Sequence, residues 1–251
     1  MEQQQKVENR QDKIKGVFST QSLIKVGTGT TQRKTVQKSY WYAQELDDGN
    51  VEIQPLNKNY VPSGPKKIIS KEELLEKFKP EPEFYTYEVL PRIRELNKTI
   101  ARADRYRMRG ETYSAEFEYK NALKVDEENI RANFGLGLTY LERGDTEKAN
   151  DIFQRLVKLD AAFEKEHKHL FNEFGIKLRK NKMYNQCLEY YKRALELADD
   201  DEHLYYNIAR CYFELKDFQK CREYLNKALE LNPDFEEGKK FLAYLDKKGL
   251  K

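Results

Sequence analysis

Residues 202–235 read EHLYYNIARCYFELKDFQKCREYLNKALELNPDF, and this stretch decides the fold. Small residues stand at Ala209, Cys221 and Ala228, and aromatic residues lie between them at helical i, i+3 and i+4 spacing. A Lys216-Asp217 turn separates the two halves, because Asp is a common helix N-cap. The stretch therefore predicts two helices that cross closely at their small residues.

The same pattern recurs upstream with a period of 34 residues. The small residue of the first helix recurs as Ala103, Gly137, Gly175 and Ala209. We predict helix pairs at 96–129, 130–163, 168–201 and 202–235. Residues 164–167 break the period by about one helical turn, so we expect the third pair to begin a turn early.

The pattern resembles the tetratricopeptide repeat (TPR) over a little over half of the chain. The resemblance implies a mainly α fold, a right-handed TPR α-solenoid spanning residues 91–251. Residues 236–248 place apolar side chains on one face and lysines around them, so we predict a capping helix that covers the last repeat. The resemblance also implies a binding scaffold or adaptor that performs no catalysis and holds no cofactor.

The chain before the repeats has a different character. Residues 1–12 are polar, and we predict a disordered tail. Residues 13–90 are predicted to form a small β-rich module with connecting helices, which matches no family. Ser70 and Glu73 fit a capping box that opens a short helix, and Pro91 suits the first turn of the helix that leads into the repeats.

A β-hairpin is predicted at residues 39–56, because Asp48-Gly49 is a strong two-residue turn signal. Pairing around this turn places Tyr42 and Ile53 on one face. It places Trp41 and Ala43 on the other, where Trp41 either packs on another element or is exposed for binding; we favour packing.

Composition and cysteine usage predict a cytoplasmic protein. The chain has a net charge of +3 and no apolar run of the ~18 residues that a membrane span requires. Its first residues lack the apolar core of a signal peptide. Three cysteines are an odd number, which argues against a disulfide framework. The three histidines and the carboxylates form no metal or catalytic pattern, so no enzyme activity is predicted.

The resemblance implies that the inner face of the first helices binds a peptide or a protein segment of unknown identity. Its mixture of aromatic and charged side chains suits such a partner. The predicted binding residues are Arg107, Arg131, Phe134, Leu138, His169, Asn172, Arg179, Tyr206, Asn207, Arg210 and Phe213.

Two alternative functions stay open. The first 40 residues contain eight Lys or Arg and three Asp or Glu, so they carry a charge of +5. This segment could bind nucleic acid or an anionic surface through Lys34, Lys38, Tyr40 and Trp41, although nucleic acid is the disfavoured partner. Alternatively, the segment could lie in the groove of a second copy and form a homo-oligomer.

Overall fold

The computed structural model describes residues 13–26, 33–197 and 201–250. The chain divides into two compact units, Met1–Asn97 and Lys98–Lys251. The first contains an antiparallel sheet and the second is helical, which confirms the predicted fold class. The predicted disordered tail at 1–12 lies outside the described residues.

The sheet has five antiparallel strands in the order β4-β3-β2-β1-β5. Their bounds are Lys15–Val26 (β1), Arg33–Glu45 (β2), Val51–Pro55 (β3), Lys67–Ile69 (β4) and Lys79–Pro80 (β5). Helix α1 (Lys71–Lys77) precedes β5. The Ser70 side chain accepts a hydrogen bond from the Glu73 backbone N–H, which confirms this half of the predicted capping box.

The predicted hairpin forms, but its register is shifted by one residue. Ala43 pairs with Ile53, so these two side chains share a face, whereas Ile53 was predicted to lie with Tyr42. The Leu46 N–H donates to the Asn50 carbonyl, which leaves a three-residue loop that ends at Gly49 with φ 86°. Because side chains alternate along a strand, a one-residue shift in the pairing moves every side chain of one strand to the opposite face relative to its partner strand.

One face of the sheet holds the core of the first unit. Its buried residues are Phe18, Ala43, Val51, Ile53 and Leu74. Trp41 packs edge-on against Phe78 on this face, and its Nε1 donates to Thr20 Oγ1 at 3.2 Å. The packing role predicted for Trp41 is therefore confirmed.

The helix that was predicted to begin at Pro91 begins earlier. A short α2 (Pro82–Phe84) runs through a π-helical turn at Tyr85–Val89 into α3 (Leu90–Met108). Pro91 has no N–H, and its ring would crowd the carbonyl four residues back in a regular α-helix. The wider π turn lies just before this residue and accommodates it.

The second unit consists of helix pairs joined by short turns. After α3 the helices are Thr112–Val125 (α4), Ile130–Arg143 (α5), Thr146–Leu156 (α6), Lys168–Lys180 (α7), Tyr184–Leu197 (α8), Glu202–Glu214 (α9), Phe218–Leu231 (α10) and Glu236–Lys247 (α11). Helix α11 lies where the capping helix was predicted. The extra turn before the third pair is a 3-10 turn at Lys165–His167 directly before α7, not an extension of the α-helix.

The predicted close crossing in the second pair lies at Gly137. A Cβ atom there would lie 2.7 Å from the Phe174 ring and 3.0 Å from a methyl carbon of Ile152. Gly135 and Gly175 are equally constrained, because their faces are covered by the rings of Tyr119 and Tyr191. Small residues therefore let aromatic rings occupy the space between helices.

Cys187 of α8 and Cys211 of α9 are paired through their sulfur atoms, with Cα atoms 6.8 Å apart. Both are buried, as is the free Cys221. The odd cysteine count argued against a disulfide framework, whereas the structure brings two of the three thiols together across neighbouring repeats. Sequence could not indicate this pair, because the two cysteines lie 24 residues apart on different helices.

Helices α4 and α5 are also joined by a charged network around Glu116. Its carboxylate accepts hydrogen bonds from Lys120 Nζ at 2.7 Å, Arg143 Nη1 at 2.8 Å and the Tyr140 hydroxyl at 3.1 Å. Burial alone would raise the pKa of Glu116, but these three donors outweigh it and lower the pKa to about 2. The ionised form of Glu116 therefore stabilises the contact between the first two repeats.

We predict that Gly137→Leu destabilises the fold by roughly 1–3 kcal/mol, because its side chain must displace the Phe174 ring. Urea denaturation measures this loss. Ala243→Leu introduces the same side chain at an exposed site on α11 and serves as the control. An unchanged midpoint for Gly137→Leu would show that the crossing lies elsewhere.

We also predict that Glu116→Gln destabilises the protein at neutral pH but not near pH 2. The pKa of Glu116 is lowered on folding, so its stabilisation is fully present above about pH 4.5 and is lost as the pH falls toward 2. Urea titrations of both proteins across this range should show their difference shrinking. Glu147→Gln, at an exposed position on α6, should show no such convergence, and a pH-independent difference for Glu116→Gln would contradict the assignment.

Candidate functional site

The candidate site is the surface formed by the first helix of each pair, namely α3, α5, α7 and α9. We refer to it as the first-helix face. The sequence placed eleven binding residues here, and the structure divides them into three groups: buried residues, arginines held in ion pairs, and accessible residues.

Phe134 and Leu138 are fully buried, so their prediction as binding residues is wrong. Phe134 packs edge-on against Phe174 with ring centroids 5.8 Å apart. Both residues belong to α5, in which residues 132–141 are all buried. Packing on both sides of α5 leaves Phe134 and Leu138 no surface for a ligand.

Arg107 binds two neighbouring helices of its own protein. Its Nη1 lies 2.8 Å from Glu142 Oε1 on α5 and 2.9 Å from Glu173 Oε1 on α7. Only 15% of the side chain is exposed. Burial opposes the charged form, but the hydrogen bond that Arg107 donates to Glu173 and the charges of both carboxylates outweigh it and raise the pKa of Arg107. The residue holds three first helices together.

Arg131 and Arg179 are used in the same way. Arg131 forms an ion pair with Asp104, which also accepts a hydrogen bond from the Tyr119 hydroxyl. Arg179 lies 3.2 Å from Glu214, the residue 35 positions further on. Arg107 and Glu142 are also 35 positions apart, so the same ion pair recurs between successive first helices. These three arginines therefore act between repeats, and the Arg131 side chain also keeps 54% of its surface exposed.

The remaining predicted residues keep accessible surface. His169 is exposed, and the others are partly exposed: Asn172, Tyr206, Asn207, Arg210 and Phe213. Four of the six lie on α9.

The aromatic residues of α9 form a cluster with the capping helix. Tyr206 lies edge-on to Phe235 and Phe241, with centroids 5.4 and 5.9 Å away. Phe213 contacts Phe241 at 5.3 Å and Tyr244 at 6.1 Å. The Tyr244 side chain remains 44% exposed, so the cluster presents aromatic surface.

Phe241 and Tyr244 were not predicted as site residues. Phe241 was placed on the apolar face of the capping helix, but its contact with α9 cannot be read from a single helix. The repeat pattern could have indicated these two residues. The capping helix follows α10 as each first helix follows the preceding pair, so it occupies the position of a further first helix.

Arg210 differs from the other three predicted arginines. Its guanidinium lies over the Tyr206 ring, 5.8 Å from the centroid. Within residues 33–197 and 201–250 it forms no ion pair with a carboxylate. Glu237 of α11 follows it by 27 positions, as Arg131 follows Asp104, yet Glu237 does not pair with it. Arg210 is thus a partly buried cation whose charge is available to a ligand.

Among the residues that the structure describes, no group of three or more His, Cys, Asp or Glu side chains could hold a metal ion. A search of the same residues finds no helix with the length and apolar character needed to cross a membrane.

Comparisons with known proteins identify the repeats. Two tetratricopeptide-repeat family models match residues 131–161 and 204–235. Anaphase-promoting complex subunit 3 of Schizosaccharomyces pombe is 26% identical over 119 residues. This match covers 45% of the present chain and only 17% of that protein.

Solved structures with similar folds include MamA from Desulfovibrio magneticus RS-1 and PilF from Pseudomonas aeruginosa. MamA is 20% identical with a TM-score of 0.47, covering 61% of this chain and 85% of MamA. PilF is 19% identical with a TM-score of 0.44, covering 57% and 64% of the two chains.

The helix pairs, the close crossings at small residues and the two matched segments lead to one conclusion: the chain contains tetratricopeptide repeats, which are matched at residues 131–161 and 204–235.

Proposed function

We propose that this protein is a non-catalytic adaptor that binds an acidic peptide or protein segment along α9 and α11. Tetratricopeptide repeats support a role as a protein-interaction scaffold in general, and proteins of this family and fold are typically non-catalytic. The proposal extends both statements to a particular surface of this chain.

Arg210 is the observation that carries the proposal. The other predicted arginines form ion pairs with carboxylates of neighbouring helices, whereas the Arg210 guanidinium lies over the Tyr206 ring and forms no ion pair among the described residues. A carboxylate of a bound segment would complete its interactions, as charge-assisted hydrogen bonds do at protein interfaces.

The surroundings of Arg210 would supply contact area and orientation. Tyr206, Phe213 and Tyr244 offer aromatic surface, which is common at the energetic centres of interfaces. Asn207 lies beside Tyr206 and can bind the backbone of an extended peptide. His169 and Asn172, on α7, would extend the same face.

The alternative function, in which the basic leading segment binds nucleic acid or an anionic surface, is weakened because its two aromatic residues pack against other rings. Tyr40 packs on Phe84 with centroids 4.4 Å apart, and Trp41 packs on Phe78. Lys38 forms an ion pair with Glu81. Base stacking needs exposed rings, so Tyr40 and Trp41 do not provide a platform for single-stranded nucleic acid.

The structure describes the backbone of Lys34 in β2, opposite Lys25. Self-assembly and a cytoplasmic location stay predictions.

The test is the substitution Arg210→Glu in the full chain. Lys192→Glu is its matched control, because Lys192 also lies over an aromatic ring, that of Tyr212, but on the second helix α8. Partners recovered by affinity purification with the unmutated protein are then purified and titrated against each variant by calorimetry. We expect Arg210→Glu to weaken binding by about 10- to 100-fold, the cost of losing a charged hydrogen bond.

Lys192→Glu should bind as the unmutated protein does. Tyr206→Ala is a poorer test, because that ring also packs on Phe235 and Phe241. Equal affinity for Arg210→Glu in a folded variant, judged by its circular dichroism and melting temperature, would dismiss this surface as the binding site.

A further inference from the structure

A second candidate surface lies among the first two repeats, between α4 and α6. Here a cleft of about 490 Å³ opens between two second helices, with α5 contributing to its floor. Its lining residues are Lys120, Leu123, Lys124, Glu127, Leu136, Tyr140, Lys148, Asp151, Ile152 and Arg155. The cleft shares no residue with the α9 and α11 surface.

The floor of the cleft is apolar. Leu136 and Ile152 are each 3% exposed, and Leu123 is partly exposed beside them. The Tyr140 ring borders the floor, and its hydroxyl is already used as a donor to Glu116. An apolar side chain of a partner could enter here without leaving a buried polar group unpaired.

The two sides of the cleft are rich in cations. Lys120 and Lys124 lie one turn apart on α4, and Lys148 and Arg155 lie two turns apart on α6. Against these four cations the lining contains two carboxylates, Glu127 and Asp151.

Lys120, Lys148 and Arg155 remain available to a partner. Lys120 and Lys148 contact Glu116 and Asp145, which lie outside the lining, yet each lysine side chain keeps 52% of its surface exposed. In the part of the chain that the structure describes, Arg155 forms no ion pair. The charge balance of the lining therefore favours a partner with more acidic than basic residues.

Exposed aromatic residues extend the α4 side of the cleft. Phe117 is 63% exposed and Tyr113 is 76% exposed. Phe117 precedes Lys120 by three positions and Lys124 by seven, so all three lie along one stripe of the helix. Adjacent exposed rings beside an apolar cleft are typical of an interaction surface.

We propose that this cleft binds an acidic amphipathic segment of another protein. Apolar side chains of that segment contact Leu123, Leu136 and Ile152, and its carboxylates contact the lysines and Arg155. Phe117 covers the segment where it leaves the cleft. The protein would then carry two partners at once, one on the first-helix face and one between second helices.

The test uses the full chain and three fluorescein-labelled helical probe peptides. The first has Leu and Phe at i, i+3 and i+4 spacing with Glu elsewhere, the second has Lys in place of Glu, and the third has Ser in place of Leu and Phe. Fluorescence anisotropy at low and moderate salt measures their affinities. We expect the first peptide to bind at least about tenfold more tightly than either counterpart.

Charge reversal and floor truncation locate the binding. Lys124→Glu with Arg155→Glu, and separately Leu123→Ala, should each weaken the first peptide by about tenfold or more. Lys158→Glu, an exposed residue just beyond α6 and outside the lining, is the matched control and should bind as the unmutated protein does. Arg210→Glu should also leave this binding unchanged, which separates the present proposal from the one above.

Two results would overturn the proposal. One is equal binding of the acidic peptide to the unmutated protein and to the doubly charge-reversed variant. The other is a concentration-dependent dimer in sedimentation that the same double substitution abolishes, because this would assign the cleft to a second copy of the chain.

Discussion

The second unit depends on aromatic rings that cover glycine on neighbouring helices. Tyr119 lies over Gly135, Phe174 over Gly137 and Tyr191 over Gly175. A side chain at any of these glycines would push the rings away, and the helices would separate with them. Gly137 and Gly175 occupy the small-residue position that recurs as Ala103 and Ala209 in the first and fourth pairs, whereas Gly135 lies two residues earlier on α5. Ion pairs such as those of Arg107 and Arg179 link the same helices at their surface.

Close packing also decides which first-helix residues can bind a partner. Arg107, Arg179 and Phe213 occupy equivalent positions in their repeats. Arg107 contacts Glu142 and Arg179 contacts Glu214, each on the next first helix, and Phe213 contacts the capping helix α11. A residue at such a position contacts the next helix wherever that helix is present, and it therefore stabilises the array. Accessible ligand-binding groups are then expected where the neighbour does not supply a partner of opposite charge. Arg210 is such a case, because an aromatic ring occupies the space over its guanidinium.

Periodicity predicted the helices well and the exposure of individual residues poorly. Every helix from α4 to α11 could be placed, because small residues, aromatics and turn residues recur at fixed offsets. The burial of Phe134 and Leu138 could not be predicted, since it depends on what packs against both sides of α5. The pairing of Cys187 with Cys211 was hidden for the same reason. The predicted hairpin register was wrong because Asp48-Gly49 marks a turn without fixing its length. The same dipeptide fits two-residue and three-residue loops.

The two proposed surfaces follow from the same property of a repeat array. Each pair offers a first helix and a second helix to different sides, so a partner on one need not displace a partner on the other. On the first-helix face, ion pairs between repeats consume most of the charge and leave Arg210 near the capping helix. Between second helices, Lys120 and Lys148 are paired through their Nζ atoms with Glu116 and Asp145 and remain half exposed at the sides of the open cleft. In this array, charged side chains are neutralised where helices meet and remain accessible where helices diverge. A partner can bind at the positions where the helices diverge.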